Sequence, residues 1–465
     1  MASVLCTVGV LLYIPIVVYV PALAFSQVSG FSVHFITPAI AIICIFYTMV
    51  GGIKAVVWTD FLQGFFTLAS SVAVVILGLV HVGGFGKVWE RNMEGGRIRF
   101  FEMSISPLER MTFWNVIIGY SFYWGGMITV NQAMVQKFLS LPTYKNAKTA
   151  LYIFVVGLMV VNTITCYIGL VMFASYHDCD PLKTQGISRP DQLLPYYVTD
   201  VGASIPGLAG LFVAGIFSSS LSTISSSLNA LGATLFEDFI RPCFKNKLND
   251  RVASNIIKLV VMIIGTICVL IVFVVHKLGT ILQVTIAAAS VTNGATLGLF
   301  TFGMLFPRGN AKGALAGSIV SMLIMVCIVF GNQKASADRR IKQPTLPTSV
   351  VGCGFNVTQP DKGLIIKDEN EEDEVFVLFR ISFMLYTLMG LIIMFIVATA
   401  VSLFTEPPNL NEMNISLFAP FMRNYVRKRK GKDCSQEATQ TQLLNEFSNE
   451  DPPDKMENSH KNEKL

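Results

Sequence analysis

Long apolar stretches separated by short polar segments make up most of the first 404 residues. A helix that crosses the hydrocarbon core of a bilayer needs about 20 mostly apolar residues, and the chain supplies such stretches repeatedly. The first has no basic leading segment and is too long for the apolar part of a signal peptide, so it is predicted to be a membrane helix. We predict about ten transmembrane helices, at residues 1–24, 35–50, 59–83, 112–132, 148–174, 205–236, 252–276, 281–306, 312–331 and 376–404.

The composition agrees with this interpretation. Hydrophobic residues make up 52% of the chain and charged residues only 14%, proportions that are not those of a soluble domain. The formal net charge of +5 is small, so it gives no reason to expect a nucleic-acid partner, whereas the lipid bilayer is a partner. The sequence has no Cys-x-x-Cys, no phosphate-binding glycine loop and five scattered histidines. We therefore expect an all-α polytopic membrane protein that is not an enzyme.

The charge distribution along the chain predicts an orientation. Most of the proposed inner segments carry Lys and Arg, as cytoplasmic helix ends do, although the basic residues of segment 84–111 argue the other way. An even number of helices then puts both termini in the cytoplasm, in a multi-pass protein of the plasma membrane. The sequon at Asn356 lies in a long loop at about 332–375 and predicts glycosylation on the extracellular face. Residues 1–404 form the transmembrane core, and residues 405–465 are predicted to be a largely disordered cytoplasmic tail.

Two features outside the predicted helices leave alternatives open. The basic cluster from Arg427 to Lys430 either anchors the inner end of the last helix by the positive-inside rule or touches anionic lipid. Cys179 and Cys353 lie in predicted outer loops and are able to pair, but nothing in the sequence decides whether they do.

Eight hydroxyl side chains crowd residues 218–227, within an uncharged stretch at residues 202–236. Within it Ser219, Ser222, Thr223 and Ser226 share one face of a helix, because residues three and four apart are neighbours there. Such hydroxyls usually bond the carbonyl one turn back or let helices pack closely. They also suit a small hard cation, with Ser222 and Thr223 as ligands and a carbonyl near Ser219 as a third oxygen. The residues alone leave both interpretations open.

Six segments follow one another in an order typical of one transporter family. Residues 51–63 read Gly-Gly-Ile-Lys-Ala-Val-Val-Trp-Thr-Asp-Phe-Leu-Gln, and residues 131–136 read Asn-Gln-Ala-Met-Val-Gln. The other segments are residues 177–181, residues 190–195, the serine-rich stretch, and residues 298–303 continuing through Pro307, Asn310, Gly313 and Ala314. Together they resemble the sodium/solute symporter family, which includes sodium-coupled glucose, iodide, monocarboxylate and multivitamin transporters. The resemblance covers residues 1–330 and, more loosely, 376–404.

The resemblance implies an inverted-repeat (LeuT-like) symporter core and uptake driven by Na⁺, the coupling ion, through alternating access. It implies that the family's shared sodium ligands fall on Ser219, through its carbonyl, and on Ser222 and Thr223. The segments at 178–181 and 190–192 are most similar to the branch that carries monocarboxylates, iodide, or vitamins such as biotin and pantothenate. The expected solute is therefore a small organic anion, and no protein partner is indicated.

The start of the chain departs from the family pattern. Its first helix, which continues into Val-Pro-Ala-Leu-Ala-Phe-Ser-Gln-Val-Ser-Gly at 20–30, resembles the family's third core helix. The core is therefore expected to lack its first two core helices, and with them half of the sodium cage. The 465-residue chain is then expected not to couple Na⁺ to uptake by itself. The alternative hypothesis is a truncated, non-transporting membrane protein that associates with or regulates a full-length transporter.

Other polar and aromatic residues give weaker hypotheses. Tyr123 and Trp124 stand beside two glycines within the helix predicted at 112–132, where they either stack on the solute or pack against other helices. Asn131, toward the inner end of that helix, either contacts the solute or bonds a neighbouring helix. Asp60, in the signature at 51–63, is expected to cap the start of the next helix and so to have a structural role.

Overall fold

The computed structural model describes residues 1–184, 186–187, 189–244, 249–275, 281–338, 340–341, 346–353, 375–409 and 413–429. Within these ranges the chain is helical and forms no strand. The α-helices are α1 (Ala2–Ser29), α2 (Val33–Val82), α3 (Phe85–Glu94), α4 (Phe113–Thr129), α5 (Gln132–Leu139), α6 (Tyr144–Ser175), α7 (Leu193–Val201), α8 (Leu208–Leu235), α9 (Asp250–Val275), α10 (Ile281–Leu305), α11 (Ala311–Ala337), α12 (Val377–Arg380), α13 (Tyr386–Phe404) and α14, over residues 420–429.

Nine helical segments of the described residues are long and apolar enough to span a membrane. They lie on α1, α6, α8, α9, α10, α11 and α13 and on the two halves of α2, Val33–Gly51 and Val56–Val82. The segment between residues 50 and 59, which was expected to be a loop, is helical instead. The helix expected at 112–132 divides into α4, with 17 residues, and α5, with 8.

The serine-rich helix α8 packs against α1, α2 and α9. One apolar cluster joins Leu228 of α8 to Ile14 of α1 and to Val261 of α9. Opposite this cluster, a Cβ on Gly215 of α8 would stand 2.7 Å from the Cβ of Ser70 on α2. Lipid gives no hydrophobic drive between membrane helices, so small residues at a crossing allow the close packing that holds them together. The pair α2–α8 therefore meets almost backbone to backbone.

A second close crossing joins α10, α11 and α13. Gly294 of α10 faces Gly390 of α13, and the Ser321 hydroxyl of α11 donates to the Gly390 carbonyl at 2.6 Å. A Cβ on Gly294 would stand 2.5 Å from the carbonyl oxygen of Thr387. On the other side of α10, the Asn293 amide donates to the Tyr123 carbonyl of α4 at 3.1 Å. Helix α10 is thus fixed between α4 and α13.

The two ends of the bundle differ in chemistry. At one end Cys179 and Cys353 form a disulfide that ties the segment after α6 to the segment after α11. The Arg97 guanidinium donates to the Pro347 carbonyl there at 2.8 Å. At the other end, the backbone N–H of Ala419 donates to the carbonyl of Met304 near the end of α10, at 3.2 Å. The first part of the predicted tail therefore includes helix α14, which rests on the bundle.

We expect the disulfide to contribute measurably to maturation of the protein. Loss of a native disulfide in small secreted domains costs about 2–5 kcal/mol, so Cys179→Ser and Cys353→Ser should each lower the amount of protein at the cell surface. Because the two cysteines form one bond, the double variant should be no worse than either single variant. Surface biotinylation measures this, with exposed Cys166→Ser as a control. Additive losses in the double variant would argue against the pairing.

Candidate functional site

Helix α2 carries one carboxylate within an apolar span. Asp60 lies on the segment Val56–Val82, and its side chain is 18% exposed. It does not cap the start of a helix, as the sequence suggested, because α2 continues unbroken from Val33 through Asp60 to Val82. An ionisable group within a membrane span is costly unless it has a partner, and it marks a functional site by default.

The partners of Asp60 come from two other helices. The Ser222 hydroxyl of α8 donates to Oδ1 of Asp60 at 2.5 Å, and the Ser226 hydroxyl donates to Oδ2 at 3.4 Å. The Lys137 ammonium of α5 lies 2.7 Å from Oδ2. Gln63, one turn further along α2, has an Oε1 atom that is buried without a hydrogen-bond partner. The cluster Asp60–Ser222–Ser226–Lys137, which we call the carboxylate cluster, therefore joins α2, α5 and α8.

The predicted sodium ligands lie on the same helix, but they do not all point the same way. Ser222 faces Asp60, whereas the Thr223 hydroxyl donates to the Ser219 carbonyl at 3.1 Å within α8. Ser219 itself is exposed. The structure therefore brings the Thr223 hydroxyl and the Ser219 carbonyl together, whereas the Ser222 hydroxyl belongs to the carboxylate cluster. Cation binding by Ser219, Ser222 and Thr223 stays a prediction.

The carboxylate cluster has the chemistry of a monovalent cation site. A carboxylate offers about four lone-pair positions, and hydroxyl oxygens complete the set of hard donors that a small cation prefers. One positive charge, that of Lys137, already lies against Oδ2. A diffusible cation at this carboxylate must share it with the ammonium or displace it.

The predicted solute-contacting residues lie around the break between α4 and α5. Tyr123 is 8% exposed, and its ring meets Trp124 edge to face at a centroid distance of 5.7 Å. Asn131 has extended backbone angles and begins α5, because its side-chain oxygen accepts from the N–H groups of Ala133 at 3.0 Å and Met134 at 3.4 Å. Its oxygen is thus used as a helix cap. Solute binding by Tyr123, Trp124 and Asn131 remains a prediction.

A polar cavity of about 320 Å³ opens beside this break, at the end of the bundle opposite the disulfide. Two amides of α5, hydroxyls of α1, α8 and α10, and the carboxylates of Glu237 and Asp238 line it. Asp238 accepts a hydrogen bond from the Ser3 hydroxyl. The other polar side chains that line the cavity are Ser3, Gln132, Gln136, Thr234 and Thr296. A small molecule in this space meets these polar groups together with the apolar side chains of Val130, Ala233 and Phe300.

A second cavity, of about 370 Å³, lies at the disulfide end. Arg97 lines it, and its guanidinium stands 4.3 Å from the centre of the Phe173 ring. Burial lowers the pKa of Arg97, and the negative charge of Asp180 partly offsets that change. The side chain nevertheless keeps its charge at neutral pH, because an unperturbed guanidinium titrates far above it.

The sequence alone does not identify Asp60 as a functional candidate. Its place at a predicted junction between helices favours a capping role, whereas the structure places it within the apolar span Val56–Val82. The available signal was a lone carboxylate between apolar residues on both sides. Lys137 carried no such signal, because its pairing with Asp60 spans 77 positions of the sequence. Asn356 lies outside the described residues.

Comparison with known proteins points to one family. Residues 1–321 match the model of the sodium:solute symporter family. The chain is 39% identical over 358 residues to sodium-coupled monocarboxylate transporter 2 of Mus musculus, a match that covers 77% of this chain and 58% of that protein. It is 34% identical over 401 residues to a Drosophila melanogaster protein provisionally named as a sodium-dependent multivitamin transporter, covering 85% of this chain and 65% of the fly protein. It thus spans less than two thirds of the length of both relatives.

The fold also has a solved counterpart. The substrate-bound, outward-open state of a Na⁺-coupled sialic acid symporter superposes with a TM-score of 0.66 at 22% sequence identity. The match covers 88% of this chain and 74% of that one. The predicted LeuT-like symporter fold is thereby confirmed.

Proposed function

Because the chain belongs to the sodium:solute symporter family, we propose that the protein imports a small organic anion together with Na⁺ by alternating access. A monocarboxylate is the first choice of solute, and a carboxylate vitamin such as biotin or pantothenate is the second. Both choices follow from what the related proteins are named for.

The carboxylate cluster is the observation that carries the proposal. A Na⁺ ion bound to the Ser222 hydroxyl lies close to the Asp60 carboxylate, since the two groups are 2.5 Å apart. In a site with little water, the attraction between these opposite charges is much stronger than in bulk solvent. We therefore assign the coupling ion to Ser222, Thr223 and the Ser219 carbonyl, with Asp60 supplying the nearby negative charge.

The break between α4 and α5 supports a solute route next to this ion site. Lys137 of α5 pairs with Asp60, while Gln132 and Gln136 of the same short helix line the polar cavity. A change in the charge around Asp60 is therefore transmitted to the wall of the cavity through one eight-residue helix. Helix α5 thereby couples Na⁺ binding to solute release.

The disulfide supports the orientation that the basic residues predict. Disulfides persist in oxidising compartments and are rare where glutathione is reduced. The end of the bundle that carries Cys179–Cys353 is then extracellular in a plasma-membrane protein. The opposite end, with the N-terminus, the polar cavity and α14, is cytoplasmic.

Tracer uptake in cultured cells tests the proposal. In the longest product of the gene we expect Na⁺-dependent uptake of lactate, nicotinate, biotin or pantothenate, which falls to the level of untransfected cells when choline replaces Na⁺. Iodide is included as an inorganic anion. The 465-residue chain and the longest product of its gene are compared side by side, with surface expression measured for each. Absence of Na⁺-dependent uptake of every solute by both surface-expressed forms would favour the non-transporting alternative.

A further inference from the structure

One side of helix α14 is fixed to the bundle. Val426 is fully buried and Phe418, just before the helix, is 2% exposed. The Arg423 guanidinium donates to the carbonyls of Phe418 and Ser416, each at 3.0 Å, and so holds the turn that leads into the helix. Together with the contact between Ala419 and Met304, these bonds fix the helix at the inner end of α10.

The other side of α14 exposes aromatic residues. Phe421 is 72% exposed and Tyr425 is 53% exposed. They lie four residues apart and therefore on the same face, which also carries Lys428. Leu417, before the helix, extends this apolar surface and is 66% exposed. Exposure of two aromatic rings to water is unfavourable unless lipid or another molecule covers them.

Positive charge borders this aromatic face. Arg427 and Lys428 are exposed, and the Arg429 guanidinium donates to the Tyr425 hydroxyl at 3.3 Å. Residues 417–429 contain no carboxylate. A helix with aromatic residues on one face and basic residues along its border suits the plane between acyl chains and anionic headgroups.

The position of the helix matches this requirement. Helix α10 ends at Leu305, beside the point where α14 attaches. Helix α13 ends at Phe404, and the Asn310 amide, which follows α10, donates to the adjacent Thr405 hydroxyl at 2.5 Å. Since these two spans end at the bilayer boundary, α14 lies at that boundary too. We propose that α14 docks on anionic phospholipid of the inner leaflet, with Phe421 and Tyr425 among the acyl chains and Arg427 and Lys428 at the phosphates. This inference is independent of the proposed transport activity.

Hydrogen–deuterium exchange on the full chain in lipid nanodiscs tests the docking. Two juxtamembrane basic residues favour an anionic over a neutral bilayer by about 30-fold. We therefore expect amide exchange over 420–429 to slow by up to about that factor when about one fifth of the phosphatidylcholine is replaced by phosphatidylserine. Arg427→Gln/Lys428→Gln should remove the difference between the two bilayers. Phe421→Gln/Tyr425→Gln should speed exchange in both.

The matched control is Lys145→Gln/Lys148→Gln, which removes two exposed charges from the same side of the membrane at the start of α6. It should leave exchange over 420–429 unchanged. Equal exchange in the two bilayers, or protection that survives loss of Arg427 and Lys428, would overturn the proposal. Soluble glycerophosphoserine is added to phosphatidylcholine nanodiscs as a separate arm. Equal protection by this headgroup alone would indicate a phosphate site and would overturn docking on the membrane.

Discussion

In the longest product of the gene, Asp60→Asn is expected to abolish Na⁺-dependent uptake while leaving the protein at the cell surface. The asparagine keeps the size of the side chain and an acceptor for the Ser222 hydroxyl, but it removes the negative charge. Two unit charges about 4 Å apart attract by about 4 kcal/mol near a protein surface. Allowing for the share of this charge already used by Lys137, we expect Na⁺ affinity to fall about 100-fold.

A thermal-shift assay measures this loss without knowledge of the solute. An ion that binds only the folded state at 100 times its dissociation constant stabilises that state by about 2.7 kcal/mol. After a 100-fold loss of affinity the same concentration contributes only about 0.4 kcal/mol. The purified protein should therefore melt at a higher temperature in NaCl than in choline chloride, and Asp60→Asn should lose nearly all of that difference.

Lys137→Gln separates the loss of charge from the loss of the ion pair. In Asp60→Asn the Lys137 ammonium loses its partner, which lowers stability for a reason unrelated to Na⁺. The double variant Asp60→Asn/Lys137→Gln leaves no unpaired ammonium at this site. It should therefore be more stable than Asp60→Asn, and its melting temperature should still not respond to Na⁺. Lys137→Gln alone should keep the Na⁺ response or strengthen it, because a competing cation is gone. Glu90→Gln, at an exposed carboxylate of α3 that lines neither cavity, is the control. A full Na⁺ response in the double variant would exclude Asp60 from the ion site.

The apolar pattern and the motifs predicted most of the fold but not the residues that contact Asp60. Hydropathy reports one segment at a time, so it located the membrane helices, including α8 and its serines. The loop expected near Asp60 is helical, because apolar residues continue through the segment and two glycines alone do not end a helix. Once that segment is a helix, Asp60 becomes a half-buried carboxylate opposite α8 rather than a cap.

For Asn131, in contrast, a local rule does predict the structure. An asparagine followed by residues able to form a helix is a typical N-cap, and it predicts a new helix at Gln132 rather than the end of a single one. The contact between Lys137 and Asp60 had no such local rule. It depends on how α5 packs against α2 and α8, and a single sequence contains no record of that packing.

Gly294→Leu is expected to prevent assembly of the membrane bundle. A side chain at this position meets backbone on α13, with its Cβ 2.5 Å from the Thr387 oxygen and 3.0 Å from the Gly390 Cα. Overpacking of a core costs roughly 1–3 kcal/mol when the surrounding side chains can adjust. Backbone adjusts less, and the net stability of a protein is only about 5–15 kcal/mol. Helix α10 also cannot retreat freely, because Asn293 holds it to Tyr123 of α4.

Gly303→Leu supplies the matched control for this substitution. Gly303 lies on the same helix, is exposed, and has no atom within 4 Å of a built Cβ. Fluorescence-detected size-exclusion chromatography should show a single symmetric peak for Gly303→Leu and aggregated or absent protein for Gly294→Leu. Gly294→Ala should give an amount of aggregated protein between those of the two leucine variants. Its single methyl group contacts the same backbone, but it has no atoms beyond the Cβ. A normal peak for Gly294→Leu would mean that α10 and α13 do not cross at Gly294 and Gly390, and the anchoring of α4 through Asn293 would then need a different explanation.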